Sequence, residues 1–161
     1  MKKVIFVLVL LTTIILITSC TKKEIIKLDL SDQIISTTAL LDKNMEIEYE
    51  KAVVNPIVFT NKDEYERFAK QYFKFIGMED FKYQKYDLLL VNGKKINPQG
   101  DTLYSVGSIT KLRNSVEITL KIDGKVEIKE ASKDSVIENI LYVRLSKGTI
   151  SPKSNFKITK E

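Results

Sequence analysis

The stretch NKDEYERFAKQYFKFIG, residues 61–77, is the one segment of this chain with sustained helical periodicity. Asn61 is a good N-cap, and Glu64 stands three positions later, where a capping box places its carboxylate. Tyr65, Phe68, Ala69, Tyr72, Phe73 and Ile76 follow at helical spacing, and Gly77 ends the run. Lys62 apart, the charges fall on the opposite face, where Asp63/Arg67 and Glu66/Lys70 are favourable i,i+4 pairs. The spacing predicts one amphipathic helix over 61–76 whose apolar stripe packs onto a core.

Around that helix the chain reads as strand. Residues 24–30 form the first, and residues 31–44 carry no clear period. Met45 to Glu50 alternates, with Met45, Ile47 and Tyr49 on one side and Glu46, Glu48 and Glu50 on the other, which predicts a half-buried strand. Pro56 to Phe59 precedes the helix. From Tyr86 onward strands are expected at 86–92, 102–112, 115–121, 125–130, 137–146 and 154–160. Asp123-Gly124 suggests a hairpin, and a three-residue loop, 122–124, keeps the charges outside. In that register Lys121 faces Lys125, Leu120 faces Val126, Ile118 faces Ile128 and Glu117 faces Lys129. The fold class is therefore α+β: a single domain with a twisted, mainly antiparallel β-sheet and one amphipathic helix packed on it.

The N-terminus sets the expected location. Lys2 and Lys3 precede an uncharged apolar run from Val4 to Ile17, which closes on Ile17-Thr18-Ser19-Cys20. Small residues leading to a cysteine resemble the lipobox of bacterial lipoproteins. A spanning helix needs about 20 apolar residues, whereas secretory apolar cores run to about 7–15. The expectation is a signal peptide over 1–19, a lipidated Cys20 with a short tether over 20–23, and a domain over 24–161. An uncut transmembrane anchor is the alternative, and either places the domain on the extracytoplasmic face. Thr21 is not the aspartate of an inner-membrane retention signal, so inner and outer membrane both stay open.

Composition narrows the chemistry. Removing nineteen residues from 161 leaves 142, enough for one domain with a proper core. Cys20 is the only cysteine and there is no histidine, which removes the usual base of Ser and Cys hydrolases and most zinc and transition-metal sites. Neither a metal nor another cofactor is expected, nor is catalysis. The formal charge of +5 falls to +3 with the loss of Lys2 and Lys3, and most lysines alternate with acids, as in residues 125–130. No dense arginine stripe with aromatics points to nucleic acid.

Three local patterns have alternative readings. Ser108-Ile109-Thr110-Lys111 has the spacing of serine acyl-enzymes, but on a strand positions i and i+3 face opposite ways. The Glu46, Glu48 and Glu50 row could touch calcium, and reads first as a solvated face. Asn97 to Asp101 is turn chemistry, with a binding loop as the alternative. Tyr83, Tyr86, Tyr104 and Tyr142 are candidate partner anchors if exposed, because tyrosine is enriched at interface hot spots.

Several segments of the second half resemble the C-terminal domain of PrcB-type lipoproteins, which are associated with protease complexes. They are Val58 to Phe68 entering the helix, Asp80-Phe81 leading to the 86–93 strand and glycine, Gly100 to Tyr104, and Leu141 to Leu145. The resemblance covers roughly residues 56–160 and departs at Gln99-Gly100-Asp101, where that family tends to carry a glycine pair. It implies a non-catalytic accessory lipoprotein that binds a secreted, surface-held protease. Without it, an envelope module binding a small ligand or polysaccharide is the alternative.

Overall fold

Leu88, Leu89, Leu90 and Val91 are consecutive, and none is more than 1% exposed. A strand buried on both faces needs a packed layer on each side of its sheet. The fold is described, in a computed structural model, for residues 23–27, 32–39, 43–74, 76–92, 102–113, 115–125 and 137–161. The leader, Cys20, the 97–101 loop and residues 126–130 lie outside these. The described elements are β1 (Glu24–Ile26), β2 (Gln33–Ala39), α1 (Glu46–Ala52), β3 (Ile57–Phe59), α2 (Lys62–Tyr72), β4 (Tyr86–Asn92), β5 (Thr102–Lys111), β6 (Ser115–Lys125), β7 (Ile137–Ser146) and β8 (Asn155–Lys160).

They form one α+β domain in three layers. The strands divide into two sheets, β2-β7-β4-β3 and β1-β5-β6-β8, antiparallel except for the β6–β8 pair. Leu88, Leu90, Ile140 and Tyr142 face the helices, packing with Tyr49, Tyr65, Ala69 and Phe73. Leu89, Val91, Leu141, Val143 and Leu145 face the second sheet, against Ile109, Val116, Ile118 and Leu120. Period-two alternation along β4 and β7 thus feeds two separate cores.

Three local expectations are corrected. Residues 46–52 form α1, not a strand. Glu and Met are good helix formers, and Glu is depleted in strands; the i,i+4 series Met45, Tyr49, Val53 packs on the core while Ile47 stays 64% exposed. The carboxylates of Glu46, Glu48 and Glu50 therefore do not line up as a row. Helix α2 ends at Tyr72 instead of Ile76, with Phe73 extended (φ −111°, ψ 144°). Tyr72 and Phe73 are adjacent and both buried; leaving the helix lets both rings point inward, where each meets Tyr49.

The hairpin at Asp123-Gly124 does not form. β6 runs on to Lys125, pairing Gly124 with Leu103 and Ile122 with Tyr104, so Asp123 is absorbed as a bulge. Leu120 opposes Val106, and Glu117 pairs with Lys157 of β8 at 3.2 Å. The inward set, Ile118 and Leu120, is as expected, and both are fully buried.

Gly107 is the extra residue of a second bulge, between Val106 and Ser108. Val106 and Ile109, three apart, would otherwise face opposite sides of the sheet; with the bulge both are buried in the same core. The backbone of Val106 is held by Gln33, whose Oε1 accepts from its N–H at 2.7 Å and whose Nε2 donates to its carbonyl at 2.8 Å. This amide clasp joins the two sheets.

At the start of α2 the Asn61 Oδ1 accepts from the Glu64 N–H at 2.9 Å. Glu64 reaches back to the N–H of Thr60 at 3.0 Å and its hydroxyl at 3.1 Å. The Thr60 N–H holds the Glu64 carboxyl below the usual carboxylate range. A depressed folded-state pKa adds stability above the unfolded value that is lost as pH falls through the folded one. Wild-type protein is therefore expected to be more stable than Glu64→Gln by about 0.5–1 kcal/mol at pH 7, with the gap closing below pH ~4; urea titrations across pH measure it.

Asp87 is the one charged residue of β4 and is 1% exposed. Gly148, at φ +71°, turns the chain after β7 so that its N–H donates to Asp87 Oδ2 at 2.7 Å. Lys147 Nζ lies 2.9 Å from Oδ1 and also donates to the carbonyls of Tyr83, at 3.0 Å, and Thr60. One ammonium thus ties β3, the approach to β4 and the end of β7. Lys147→Met leaves an uncompensated carboxylate and is expected to cost about 2–3 kcal/mol, below the fully buried range because Lys147 is partly solvated. Adding Asp87→Leu should recover part of the loss in equilibrium unfolding.

Candidate functional site

The start of β4 and the second half of β7 frame a cleft of about 530 Å³ on the helix side of the first sheet. Leu88 and Tyr142 line it from the sheet, Tyr86 and Arg144 stand beside them, and Met78 and Phe81 come from the loop before β4. The loop reaches over because Gly77 and Met78 are both left-handed at φ +59°. Glycine takes that conformation readily; methionine does so at a cost of about 1–2 kcal/mol, so the loop is held by its packing. The Tyr65 hydroxyl helps, donating to the Ile76 carbonyl at 2.5 Å.

Arg144 opposes Leu88 in the β4–β7 register. Its Nε donates to Asp32 Oδ1 at 2.8 Å, and its Nη2 lies 2.6 Å from the same oxygen. Those contacts use two of five guanidinium donors. The guanidinium carbon sits 5.0 Å from the centre of the Tyr86 ring, within cation–π range. Behind it the rings continue: Tyr86 to Phe81 at 6.4 Å, Phe81 to Tyr83 at 4.6 Å, and Tyr65 to Tyr142 at 6.1 Å with hydroxyls 3.3 Å apart. Lys82, Lys85, Glu79 and Asp80 supply an exposed charged rim.

The four candidate tyrosines thus separate. Tyr86 and Tyr142 meet in the cleft, Tyr86 half-buried and Tyr142 only 4% exposed as part of its floor. Tyr83 is 6% exposed behind Phe81, so the exposure that an anchor requires is met by neither Tyr83 nor Tyr142. Tyr104 lies on the second sheet, packed against the inter-sheet core with Lys160 Nζ 5.5 Å from its ring centre. Arg144, Asp32, Phe81 and Met78 were not among the sequence candidates. Arg144 was legible, since a residue two positions after Tyr142 on a strand shares its face.

Burial raises the phenols of Tyr142, Tyr83 and Tyr65 above the ordinary tyrosine value. Phenolate chemistry at neutral pH is therefore disfavoured here. Ser108 and Lys111 sit on β5, with Lys111 Nζ donating to the Thr149 carbonyl at 3.1 Å, and they do not combine. Among the described residues no three acidic, histidine or cysteine side chains converge to hold a metal. The arrangement offers aromatic faces, a fixed guanidinium and a charged rim, which are the means of recognition.

No family model, curated protein or solved structure matches the chain.

Arg144 and Asp32 side chains are 39% and 20% exposed, so their pairing contributes modestly to stability. Arg144→Ala is expected to lower unfolding free energy by no more than about 1 kcal/mol. Tyr142→Phe, which removes one hydroxyl of the buried Tyr65–Tyr142 pair, should cost about 1 kcal/mol. Urea denaturation of both variants checks these values, and a loss above about 3 kcal/mol at Arg144 would make it a structural residue.

Proposed function

We propose that the chain is a bacterial lipoprotein, anchored at Cys20 on the extracytoplasmic face of a membrane, that acts as a non-catalytic protein-binding module. Its binding site is the Tyr86–Arg144 cleft. The observation that carries this reading is the guanidinium of Arg144, pinned by Asp32 above the Tyr86 ring at a cleft floored by apolar side chains. Arginine and aromatic residues held rigid in a partly desolvated depression are the usual anchors of protein interfaces. An extended segment of a partner could lay an apolar side chain on Leu88 and Phe81 while a carboxylate or backbone carbonyl meets Arg144.

The resemblance to PrcB-type lipoproteins supports a secreted protease as that partner, which this module would tether or stabilise. A second reading has a specific observation in its favour: about 530 Å³ falls within the range of small-ligand pockets. The lipidated full-length protein, solubilised in detergent and used as bait in its native envelope, distinguishes them. A stoichiometric protease partner, lost at least tenfold with Arg144→Ala and Tyr86→Ala, is the expected result, an anchor change worth about 1.4 kcal/mol or more. Recovery of no stoichiometric protein, with a small molecule held in native mass spectra, would favour the second reading.

A further inference from the structure

A second cleft, of about 520 Å³, opens at the end of the molecule where β4 starts and β7 finishes, at the mouth between the two sheets. Lys111, Arg113, Lys147 and Lys153 line it together with Ser151 and Ser154. Its one carboxylate, Asp87, is buried and already paired with Lys147. Lys111 is committed to the Thr149 carbonyl. Arg113 and Lys153 are exposed and make no ion pair among the described residues. The cleft is therefore a cationic depression with hydroxyls beside it.

Its position relative to the chain's first strand gives it a partner. β1 pairs with the end of β5, and Glu24 stands opposite Lys111 itself. Glu24 offsets part of the charge there, while Lys23 precedes it. Cys20 is four residues before Glu24, and four residues span at most about 14 Å. A lipid on that cysteine would hold this end of the domain at the headgroup layer. Cations so placed are attracted to anionic leaflets, each raising partitioning about fivefold.

We propose that the Lys111–Arg113–Lys153 cleft is the membrane-facing surface of the domain and takes the phosphates of anionic phospholipids. This rests on the Cys20 anchor and adds an orientation to it. The domain would not swing freely on its lipid; it would sit with this end down. The Tyr86–Arg144 cleft, on the helix side of the first sheet, would then lie at the flank and remain open to a partner.

The chain contains no tryptophan, so Ser151→Trp in the full-length lipidated protein supplies a single indole at the cleft, excited selectively beyond the tyrosine absorption band. Ile122→Trp, an exposed position at the opposite end of β6, serves as control. Each is placed in nanodiscs of phosphatidylcholine, with or without phosphatidylglycerol, carrying headgroup-nitroxide lipid. Quenching of Ser151→Trp is expected to be several-fold stronger with phosphatidylglycerol, and Arg113→Glu with Lys153→Glu should abolish that difference. Ile122→Trp should be quenched weakly in both.

Equal quenching of Ser151→Trp in the two lipids overturns the phospholipid site, because the tether alone would produce it, and stronger quenching of Ile122→Trp overturns the orientation. Full relief by inorganic phosphate at constant ionic strength makes the cleft a soluble-phosphate site and also overturns it. Intact mass reports the lipid separately, so an unacylated chain overturns the anchor alone. In that case co-sedimentation with phosphatidylglycerol vesicles, lost on the same charge reversal, still supports the cleft, and no sedimentation rejects it.

Discussion

Burial of the β4–β7 pair on both faces is the constraint from which the rest of this fold follows. A strand reading Leu88-Leu89-Leu90-Val91 has no solvent face, so its sheet must be covered twice. The helices with the segment around Phe73 cover one side, and the β1-β5-β6-β8 sheet covers the other. Each covering layer adapts to that demand. β5 takes a bulge at Gly107 to turn both Val106 and Ile109 inward, and α2 stops at Tyr72 to free Phe73 for the core.

The same alternation distributes the polar groups at the open end of the pair. Along β4, Tyr86 and Leu88 point to the helix side while Asp87 and Leu89 point between the sheets. Two ion pairs then close the two faces: Arg144 with Asp32 on one, Lys147 with Asp87 on the other. They differ in kind. The first is partly solvated and leaves guanidinium donors for a ligand; the second is spent on holding β3, β4 and β7 together. On the proposed reading, one end of the molecule carries both a partner cleft at its flank and a cationic surface toward the membrane.

Much of this was legible in the sequence, and what was missed shares a cause. The start of α2 could be read from Asn61 and Glu64 because capping is local. Its end could not, since it depends on where Tyr49 lies relative to Phe73. The alternation of Met45 to Glu50 fits a strand and, through Met45, Tyr49 and Val53, a helix face equally well; only the core chooses. Asp123-Gly124 has turn chemistry, yet β5 offers β6 a partner beyond it, and extra pairing outweighs the turn. Arg144 shares a face with Tyr142 by simple alternation. Asp32, which positions it, lies 112 residues away in a stretch without period, so no local pattern could join them.

Amide hydrogen exchange tests the central claim most directly. If the doubly covered pair is the foundation, the amides of Leu88 to Val91 and of Tyr142 and Val143 should exchange only through global unfolding. Those of the 78–85 loop and of β8 should exchange through smaller openings. Exchange of the β4 amides as fast as those of β8, under conditions where the protein is otherwise folded, would contradict the account.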